Sequence, residues 1–148
     1  MENLESMFAL ARRNNKKIII MFIDLDGFKD VNDNYGHEAG DFLLKEVSSR
    51  LKLYIRKSDT LARMGGDEFI LGFTESDDVK TLATRIINSI SEPILLPGSN
   101  RVQVGASIGV SMFPIDGETP EDLIRISDNR MYISKSNGKN RYTFSDKN

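Results

Sequence analysis

The 148-residue sequence has no cysteine, no tryptophan and one histidine, His37. Without cysteine the chain cannot form a disulfide framework, a zinc finger or a thiol nucleophile. A single histidine excludes a multi-histidine metal site and argues against a Ser–His–Asp triad. No apolar run approaches the roughly 18 residues that cross a bilayer, and no segment has the pattern of a signal peptide. We therefore expect no direct membrane insertion and a location in the reducing cytoplasm.

The sequence also has no excess of charge of one sign, since 20 basic residues face 22 acidic ones and the formal net charge is −2. Long nucleic acid is therefore not an expected partner, because binding it normally requires a basic face. With 39% hydrophobic and 28% charged residues the chain lies in the globular range. Its length predicts a single domain over residues 1–148. The side chains left for chemistry are carboxylates and lysines, which are typical of magnesium and phosphate sites.

Hydrophobic periodicity predicts a β-α-β-β-α-β order with additional elements at both ends. Such an order favours an α+β fold with a ferredoxin-like, antiparallel-rich sheet flanked by helices. In that arrangement the first and central strands are neighbours, so Asp24 and the turn at Gly65–Gly66 are expected to meet. The predicted strands are 18–24, 60–63, 68–73, 102–114 and 141–144, and the predicted helices begin near residues 4, 38, 79 and 119.

Two acids follow the first predicted strand, in the segment IDLDGFK at residues 23–29. Asp24 and Asp26 are two residues apart, so in a strand both would lie on the same face. Hard cations such as Mg²⁺ bind carboxylate and carbonyl oxygens and usually share their ligands with substrate phosphates. Lys29 lies close behind and could neutralise a phosphate oxygen. A solvated turn with a nearby lysine is the alternative.

A second acidic pair lies at the predicted hairpin in RMGGDEF at residues 63–69. Paired glycines let the backbone approach a ligand closely, and Asp67 and Glu68 could supply further metal ligands. An ordinary tight turn with solvated acids is the alternative.

Two further groups of residues have a polar binding pattern. Asn32 and Asp41 carry side chains that can hydrogen-bond the edge of guanine, and His37 lies between them. The alternative for this segment is capping and turn formation before the long helix. Lys135 and Lys139 are four apart at the end of the last predicted helix, where lysines are normally solvated. They become phosphate ligands only if the other groups converge on them.

These segments, in this order and spacing, resemble the GGDEF family of diguanylate cyclases. The resemblance runs from Ile18 to Phe144 and rests on the motifs DLDGFKDVND, GHEAGD, RMGGDEF, SIGVS and YISKSNGKN. It implies the nucleotidyl-cyclase palm fold. It also implies the condensation of two GTP molecules into cyclic di-GMP plus pyrophosphate across a homodimer, with Mg²⁺ or Mn²⁺, two ions per active site. A carboxylate at Asp41 would accept hydrogen bonds from guanine that adenine cannot donate, so GTP is expected over ATP.

The resemblance also implies a role for each matching residue. The metal ligands are Asp24, the backbone carbonyl of Leu25, Asp67 and Glu68; the catalytic residues are Asp67, as general base, with Glu68 and Lys29; and the substrate-binding residues are Phe28, Asn32, His37, Asp41, Lys135 and Lys139.

An RxxD segment at residues 56–59 is similar to the family's product-inhibition site. There Arg56 and Asp59 would bind cyclic di-GMP, with Arg85 as a second contact. An arginine is suited to bidentate contacts with phosphate or guanine. An Arg–Asp surface turn is the alternative.

The sequence departs from the family pattern in several places. The usual DxLTGLxNR segment before Ile18 is missing, Lys139 replaces the usual arginine, and Ser127, Arg130 and Ser134 replace alanines of the last helix. A second hypothesis therefore stays open: a weak or inactive GGDEF domain that senses GTP or cyclic di-GMP for a fused or partner domain. Expected neighbours in the full-length protein are sensory or phosphodiesterase domains, and the chain would then be the cytoplasmic part of a larger, membrane-bound sensor or a cytoplasmic protein.

Overall fold

The computed structural model describes residues 2–74 and 78–144, apart from the side chain of Glu2. Within these residues no helix is long and apolar enough to span a membrane. The helices are α1 (Glu2–Asn14), α2 (Phe28–Tyr35), α3 (His37–Lys52), α4 (Val79–Ser91) and α5 (Pro120–Ser136). The strands are β1 (Ile18–Asp26), β2 (Thr60–Gly65), β3 (Glu68–Thr74), β4 (Ile94–Leu95), β5 (Arg101–Val102), β6 (Gly105–Phe113) and β7 (Tyr142–Thr143).

One five-stranded sheet has the order β2-β3-β1-β6-β7, and β4 and β5 form a separate hairpin. All pairings in the large sheet are antiparallel except that of β6 with β7. Strand β1 therefore lies at the centre, between β3 and β6. This confirms the predicted α+β, antiparallel-rich sheet and the neighbouring first and central strands.

Strand β1 is apolar along most of its length because both of its faces are covered. One face packs on a core formed with α3 and α4, and the other packs on α1 and α5. Strand β1 contributes Ile19, Met21, Ile23 and Leu25 to the first core. To the second core it contributes Ile18, Ile20 and Phe22. Asp24 and Asp26 continue the second set, so the face towards α5 changes from apolar to acidic where β1 ends.

Helix α5 begins as the sequence predicts. Thr119 accepts a hydrogen bond from the backbone N–H of Asp122 at 3.1 Å, and Pro120 occupies the first turn, where its missing N–H is not needed. Its apolar residues Leu123 and Met131 pack on the sheet in the same core as Phe8 and Phe113. This packing fixes α5 against β1 and β6.

Two local predictions were wrong. No helix was expected between the first strand and the long helix, but this segment contains α2, which is only eight residues long and buries Val31. Gly27 precedes it with φ 90°, a left-handed conformation that suits glycine, and this reverses the chain after β1. The strand predicted over residues 102–114 is interrupted: β5 pairs with β4, and β6 starts only at Gly105. A helix of two turns and strands of two residues are too short to give a clear hydrophobic periodicity in the sequence.

Candidate active site

The end of β1 and the β2–β3 hairpin meet at one edge of the sheet. Asp24 pairs with Glu68 across the antiparallel β1–β3 ladder, so their side chains share a face. The backbone N–H of Leu25 donates to the carbonyl oxygen of Asp67 at 3.2 Å. This bond fixes the hairpin tip against the strand end. The expected meeting of Asp24 with the hairpin is thus observed.

The carboxyl groups of Asp24 and Asp67 lie close enough to share a hydrogen bond when one of them is protonated. Burial and the charge of Asp67 raise the pKa of Asp24 to about 6, against a partly offsetting effect of the Lys135 ammonium. Burial, with the charges of Asp128 and Asp67, also raises the pKa of Glu68. Several acids therefore lie together at this partly desolvated edge of the sheet, an arrangement typical of functional sites. We call it the acidic edge; its residues are Asp24, Asp26, Asp67 and Glu68.

Lys135 brings a positive charge from α5 to this edge of the sheet. Its Nζ lies 2.7 Å from Oδ1 of Asp26, 3.4 Å from Oδ1 of Asp24 and 3.4 Å from the carbonyl oxygen of Leu25. Burial alone would lower the pKa of Lys135, but the hydrogen bond to Asp26 and the charges of Asp24 and Asp26 outweigh it and raise the pKa. The lysine is therefore held as a cation among the acids.

The donor atoms at this edge suit a hard divalent cation. Asp24 and Asp67 offer two neighbouring carboxylates, and Leu25 offers a carbonyl oxygen beside them. Mg²⁺ is usually bound through one or two carboxylates together with substrate phosphates. In residues 2–74 and 78–144 no group of three or more acidic, histidine or cysteine side chains is arranged to hold a metal ion. Two carboxylates and one carbonyl oxygen fit a Mg²⁺ or Mn²⁺ ion that takes its other ligands from a phosphate. The role of Glu68 as a ligand stays a prediction.

Helices α2 and α3 approach each other closely at Gly40. The side chain of Asn32 lies directly over Gly40, where a Cβ would overlap its Oδ1 and Cγ atoms. Asp41 follows Gly40 on α3 and lines a groove of about 610 Å³ between α3 and β2. His37 is exposed at the first residue of α3. Asn32 thus packs on the turn of α3 that carries Asp41, and the guanine-reading role of the two residues stays a prediction.

Phe28 and Lys29 begin α2, directly after the acidic end of β1. Phe28 is half-buried and packs on the core beneath the sheet, whereas Lys29 is exposed. Lys139 lies in the loop after α5, in a left-handed conformation with φ 65°. The next residue, Asn140, donates its backbone N–H to Oδ2 of Asp26 at 2.8 Å. The loop that carries Lys139 is therefore attached to the same strand end as Lys135.

The residues predicted for product inhibition lie at the other end of β3. Arg56 donates to the carbonyl oxygen of Thr74, whereas Glu68 begins that strand, and about 3.3 Å per residue puts the two ends about 20 Å apart. Asp59 accepts the backbone N–H of Arg56 at 2.6 Å and lies 3.7 Å from its guanidinium. Arg85 is close to this segment, because its carbonyl oxygen accepts from the hydroxyl of Tyr54 at 3.4 Å.

Ser107, Asn140 and Gly105 shape the site but were not among the predicted site residues. Asp26 was seen as a possible metal ligand, but its oxygens are used by Lys135, Ser107 and Asn140. Gly105 leaves room for this contact, since a Cβ there would come within 3.1 Å of Asp26 and 2.8 Å of Asn140. The only signal in the sequence was the alternation of β1, which places Asp26 on the face of α5.

Comparison with known proteins agrees with this geometry. The family model described as diguanylate cyclase, GGDEF domain, matches residues 1–141. The chain is 42% identical over 145 residues to the bifunctional diguanylate cyclase/cyclic di-GMP phosphodiesterase MucR of Pseudomonas aeruginosa, over 97% of this chain and 21% of MucR. It is 38% identical over 149 residues to diguanylate cyclase A of Treponema denticola, over 98% of this chain and 40% of that protein.

Among solved structures, the crystal structure of the GGDEF domain of YfiN or TpbB from Pseudomonas aeruginosa superposes with a TM-score of 0.92 at 32% identity, covering 99% of this chain and 93% of that one. The fold is thus that of a nucleotidyl-cyclase-like catalytic domain. The chain belongs to the GGDEF domain family of diguanylate cyclases. It spans less than half the length of each of these two curated relatives.

Proposed function

We propose that this chain is the catalytic domain of a diguanylate cyclase, which condenses two GTP molecules into cyclic di-GMP and releases two pyrophosphates. In each of two steps a 3′-oxygen attacks the α-phosphorus of the other nucleotide, the bond to the bridging oxygen breaks and pyrophosphate leaves. Each protomer of a homodimer would hold one GTP, with the two sites facing each other. The observation that carries the proposal is the convergence of Asp24, Asp67 and Lys135 at one edge of the sheet.

Asp24, Asp67 and the carbonyl of Leu25 would hold Mg²⁺ or Mn²⁺, with Glu68 beside them. A divalent ion there would neutralise charge on the α-phosphate and the leaving pyrophosphate. That each active site holds two metal ions is proposed on the family resemblance alone.

The remaining residues would bind and orient the nucleotide. Lys135 and Lys139 would contact the triphosphate and Lys29 the charge that develops during transfer, while Phe28 flanks the phosphates. Asp67 would accept the proton of the attacking 3′-hydroxyl, which requires it to be ionised. Such groups act mainly by positioning and by charge neutralisation.

Asn32 and Asp41 would read guanine, with His37 in the same segment. The carboxylate of Asp41 accepts from the N1–H and 2-amino groups of guanine, whereas adenine presents no such pair of donors there. With adenine the carboxylate of Asp41 would lose both donors, and a site built to hydrogen-bond one ligand discriminates against an analogue that lacks those groups. GTP should therefore be used far better than ATP.

The test is synthesis of cyclic di-GMP by concentrated protein with GTP and Mg²⁺ or Mn²⁺. Asp67→Ala should reduce the rate by about 10²-fold or more, because it removes the base and a metal ligand. Asp33→Ala, which changes an exposed acid of α2, is the matched control and should keep the wild-type rate. GTP binding without product at high protein concentration would instead favour a GTP-sensing module.

Product inhibition is proposed for Arg56, Asp59 and Arg85. The support is that Asp59 holds Arg56 by its backbone and its guanidinium, on a surface remote from the acidic edge. Arg56→Ala should raise the concentration of cyclic di-GMP that halves the rate, without changing the initial rate. Lys57→Ala is the matched control, and equal inhibition of Arg56→Ala and wild type would contradict the assignment.

The full-length protein is proposed to carry a sensory or a phosphodiesterase domain beside this one. The support is the length of MucR, whose name includes both activities and of which this chain matches 21%. A cytoplasmic location is proposed because GTP is the substrate.

A further inference from the structure

The carboxylate of Asp26 is buried at the end of β1 and accepts hydrogen bonds at both of its oxygens. Its Oδ1 accepts from Nζ of Lys135 at 2.7 Å and from Oγ of Ser107 at 2.8 Å. Its Oδ2 accepts from the backbone N–H of Asn140 at 2.8 Å. Three donors from β6, α5 and the loop after α5 therefore converge on one side chain. Each carboxylate oxygen of Asp26 therefore has at least one hydrogen-bond donor.

The two lysines proposed to bind phosphate are held at this carboxylate in different ways. Lys135 contacts it directly through its ammonium group. Lys139 depends on it through the backbone, because its neighbour Asn140 supplies the N–H. Fixing the roots of both lysines reduces the conformational freedom that would otherwise be lost when a triphosphate binds.

The loop after α5 needs such an anchor because its backbone is unusual. Lys139 and Asn140 have φ of 65° and 50°, and consecutive left-handed residues other than glycine are uncommon. This conformation points the N–H of Asn140 at Asp26. The side chain of Asn140 adds two contacts, since its Oδ1 accepts from the backbone N–H of Ala106 at 3.2 Å and from Oγ of Ser91 at 3.1 Å. The loop is therefore attached to β6 and α4 as well as to β1.

We propose that Asp26 is a positioning residue for the triphosphate, which holds Lys135 and the loop of Lys139 in the arrangement that binds the β- and γ-phosphates. This inference rests on the proposed function, since it takes GTP as the ligand. Asp26 itself does not contact the nucleotide. Its negative charge is balanced by Lys135, and its second oxygen is occupied by Asn140, so it does not repel the phosphates as a free carboxylate would.

The experiment compares binding of 3′-deoxy-GTP, which lacks the attacking hydroxyl, with binding of GMP, which lacks the β- and γ-phosphates. Affinities are measured by calorimetry with Mg²⁺ on the complete chain. Asp26→Asn keeps the side-chain size but leaves one acceptor oxygen for three donors. It should weaken binding of 3′-deoxy-GTP about tenfold and binding of GMP less than about threefold. An unchanged ratio of the two affinities in folded Asp26→Asn would overturn the proposal.

A matched control is Asp116→Asn. Asp116 is a partly buried acceptor bonded to a cation of α5, namely Arg130, and it lies away from the acidic edge. Its substitution should lower stability at least as much as that of Asp26 and leave the ratio of 3′-deoxy-GTP to GMP affinity within about twofold of wild type. An equal change of this ratio in both variants would mean that any loss of stability weakens triphosphate binding, and would overturn the assignment to Asp26.

Lys135→Met tests whether Asp26 acts through the lysine. If it does, the loss of 3′-deoxy-GTP affinity in the double variant Asp26→Asn/Lys135→Met should be smaller than the sum of the two single losses on a free-energy scale. Full additivity would contradict the direct route through Lys135.

One measurement needs no variant and so does not depend on the folding of Asp26→Asn. Amide hydrogen exchange on the wild-type protein should find the N–H of Asn140 protected, and exchange at the rate of an unstructured amide would overturn the anchoring of the loop. Failure of the proposed function would look different. The concentrated wild-type protein would then form no cyclic di-GMP from GTP, while Asn140 remained protected and Asp26→Asn still weakened the binding of 3′-deoxy-GTP more than that of GMP.

Discussion

Two aspartates, the buried Asp26 and the partly buried Asp116, receive a cation from the same helix, α5, yet their surroundings differ. Asp116 is bonded by both Nη atoms of Arg130 at 2.9 Å and by the backbone N–H of Met112 at 2.8 Å. Arg130 also donates to the carbonyl oxygen of Val110 at 2.8 Å. Lys135, in contrast, lies between Asp26 and Asp24 and forms its short contact with only one of them. The arginine joins two groups rigidly, while the lysine is a point charge among several acids.

The pKa values of the acids show what this difference means for stability. Burial alone would raise the pKa of Asp116, but the bonds from Arg130 and from the N–H of Met112 outweigh it and lower the pKa. At the acidic edge, burial and the negative charge of Asp67 raise the pKa of Asp24 to about 6. The charged form of Asp116 thus stabilises the fold, and that of Asp24 destabilises it. We infer that the acidic edge is kept for binding at some expense of stability.

The largest expected effect is that of Arg130→Ala, which removes a buried side chain and leaves the partly buried Asp116 without its cation. The free energy of unfolding should fall by about 3 kcal/mol, the lower end of the range for broken buried pairs, because Asp116 keeps some contact with solvent. Urea denaturation measures this loss. Arg125→Ala is the matched control, because Arg125 is an exposed arginine of the same helix with a 3.7 Å contact to Asp122, and it should cost less than about 1 kcal/mol. Equal losses in the two variants would remove the structural role of the Asp116–Arg130 pair.

Asp24→Asn should have the opposite sign. The folded-state pKa of Asp24, about 6, lies above its ordinary value of 3.8, so the folded protein favours the neutral acid. At pH 7, without metal or nucleotide, the variant should therefore be more stable by about 1–2 kcal/mol. The gain should shrink as the pH falls through 6 and disappear near 4. Asp33→Asn, at an exposed acid of α2, should change stability by less than about 0.5 kcal/mol. A destabilised Asp24→Asn at pH 7 would contradict the inference.

The acidic edge could be foreseen from the sequence because local patterns determine it. The strand period of two places Asp24 and Asp26 on one face, and the paired glycines mark the hairpin that carries Asp67 and Glu68. The order of elements predicts that the strand and the hairpin are neighbours. These are short-range signals combined with one topological rule, and the structure confirms each of them.

The two cation pairs could not be foreseen, because they depend on how α5 lies across the sheet. Lys135 is 109 positions from Asp26, and no periodicity reports which lysine reaches which acid. Arg130 appears in the sequence only as a departure from a family alanine, yet the structure buries it at 6% exposure beside Asp116. Helix α2 was missed for a different reason, since two turns carry too few apolar positions to give a pattern.

The contribution of the Asp116–Arg130 pair to the free energy of unfolding should depend on pH. Because the folded-state pKa of Asp116 lies below 3.8, its contribution to stability is present above about pH 4 and is lost as the pH falls through the folded-state value. The difference in unfolding free energy between wild type and Asp116→Asn should therefore be constant from pH 5 to 7 and become smaller as the pH falls below about 4. Urea denaturation over this range measures it. A difference that widens towards acid would reverse the assigned sign.

The smallest expected effect is that of Lys135→Arg, which is compared with the matching exchange at Arg130. Arg130→Lys should destabilise the fold by about 1–2 kcal/mol, because an ammonium cannot form both bonds to Asp116 and the bond to Val110. Lys135→Arg should change stability by less than about 0.5 kcal/mol, because its side chain is partly exposed and the acids around it offer several acceptors. Thermal unfolding of the two variants gives the comparison directly. If Lys135→Arg were the more destabilising of the two, the geometry at Lys135 would be as strictly fixed as that at Arg130, and the distinction between a rigid pair and a point charge among acids would fail.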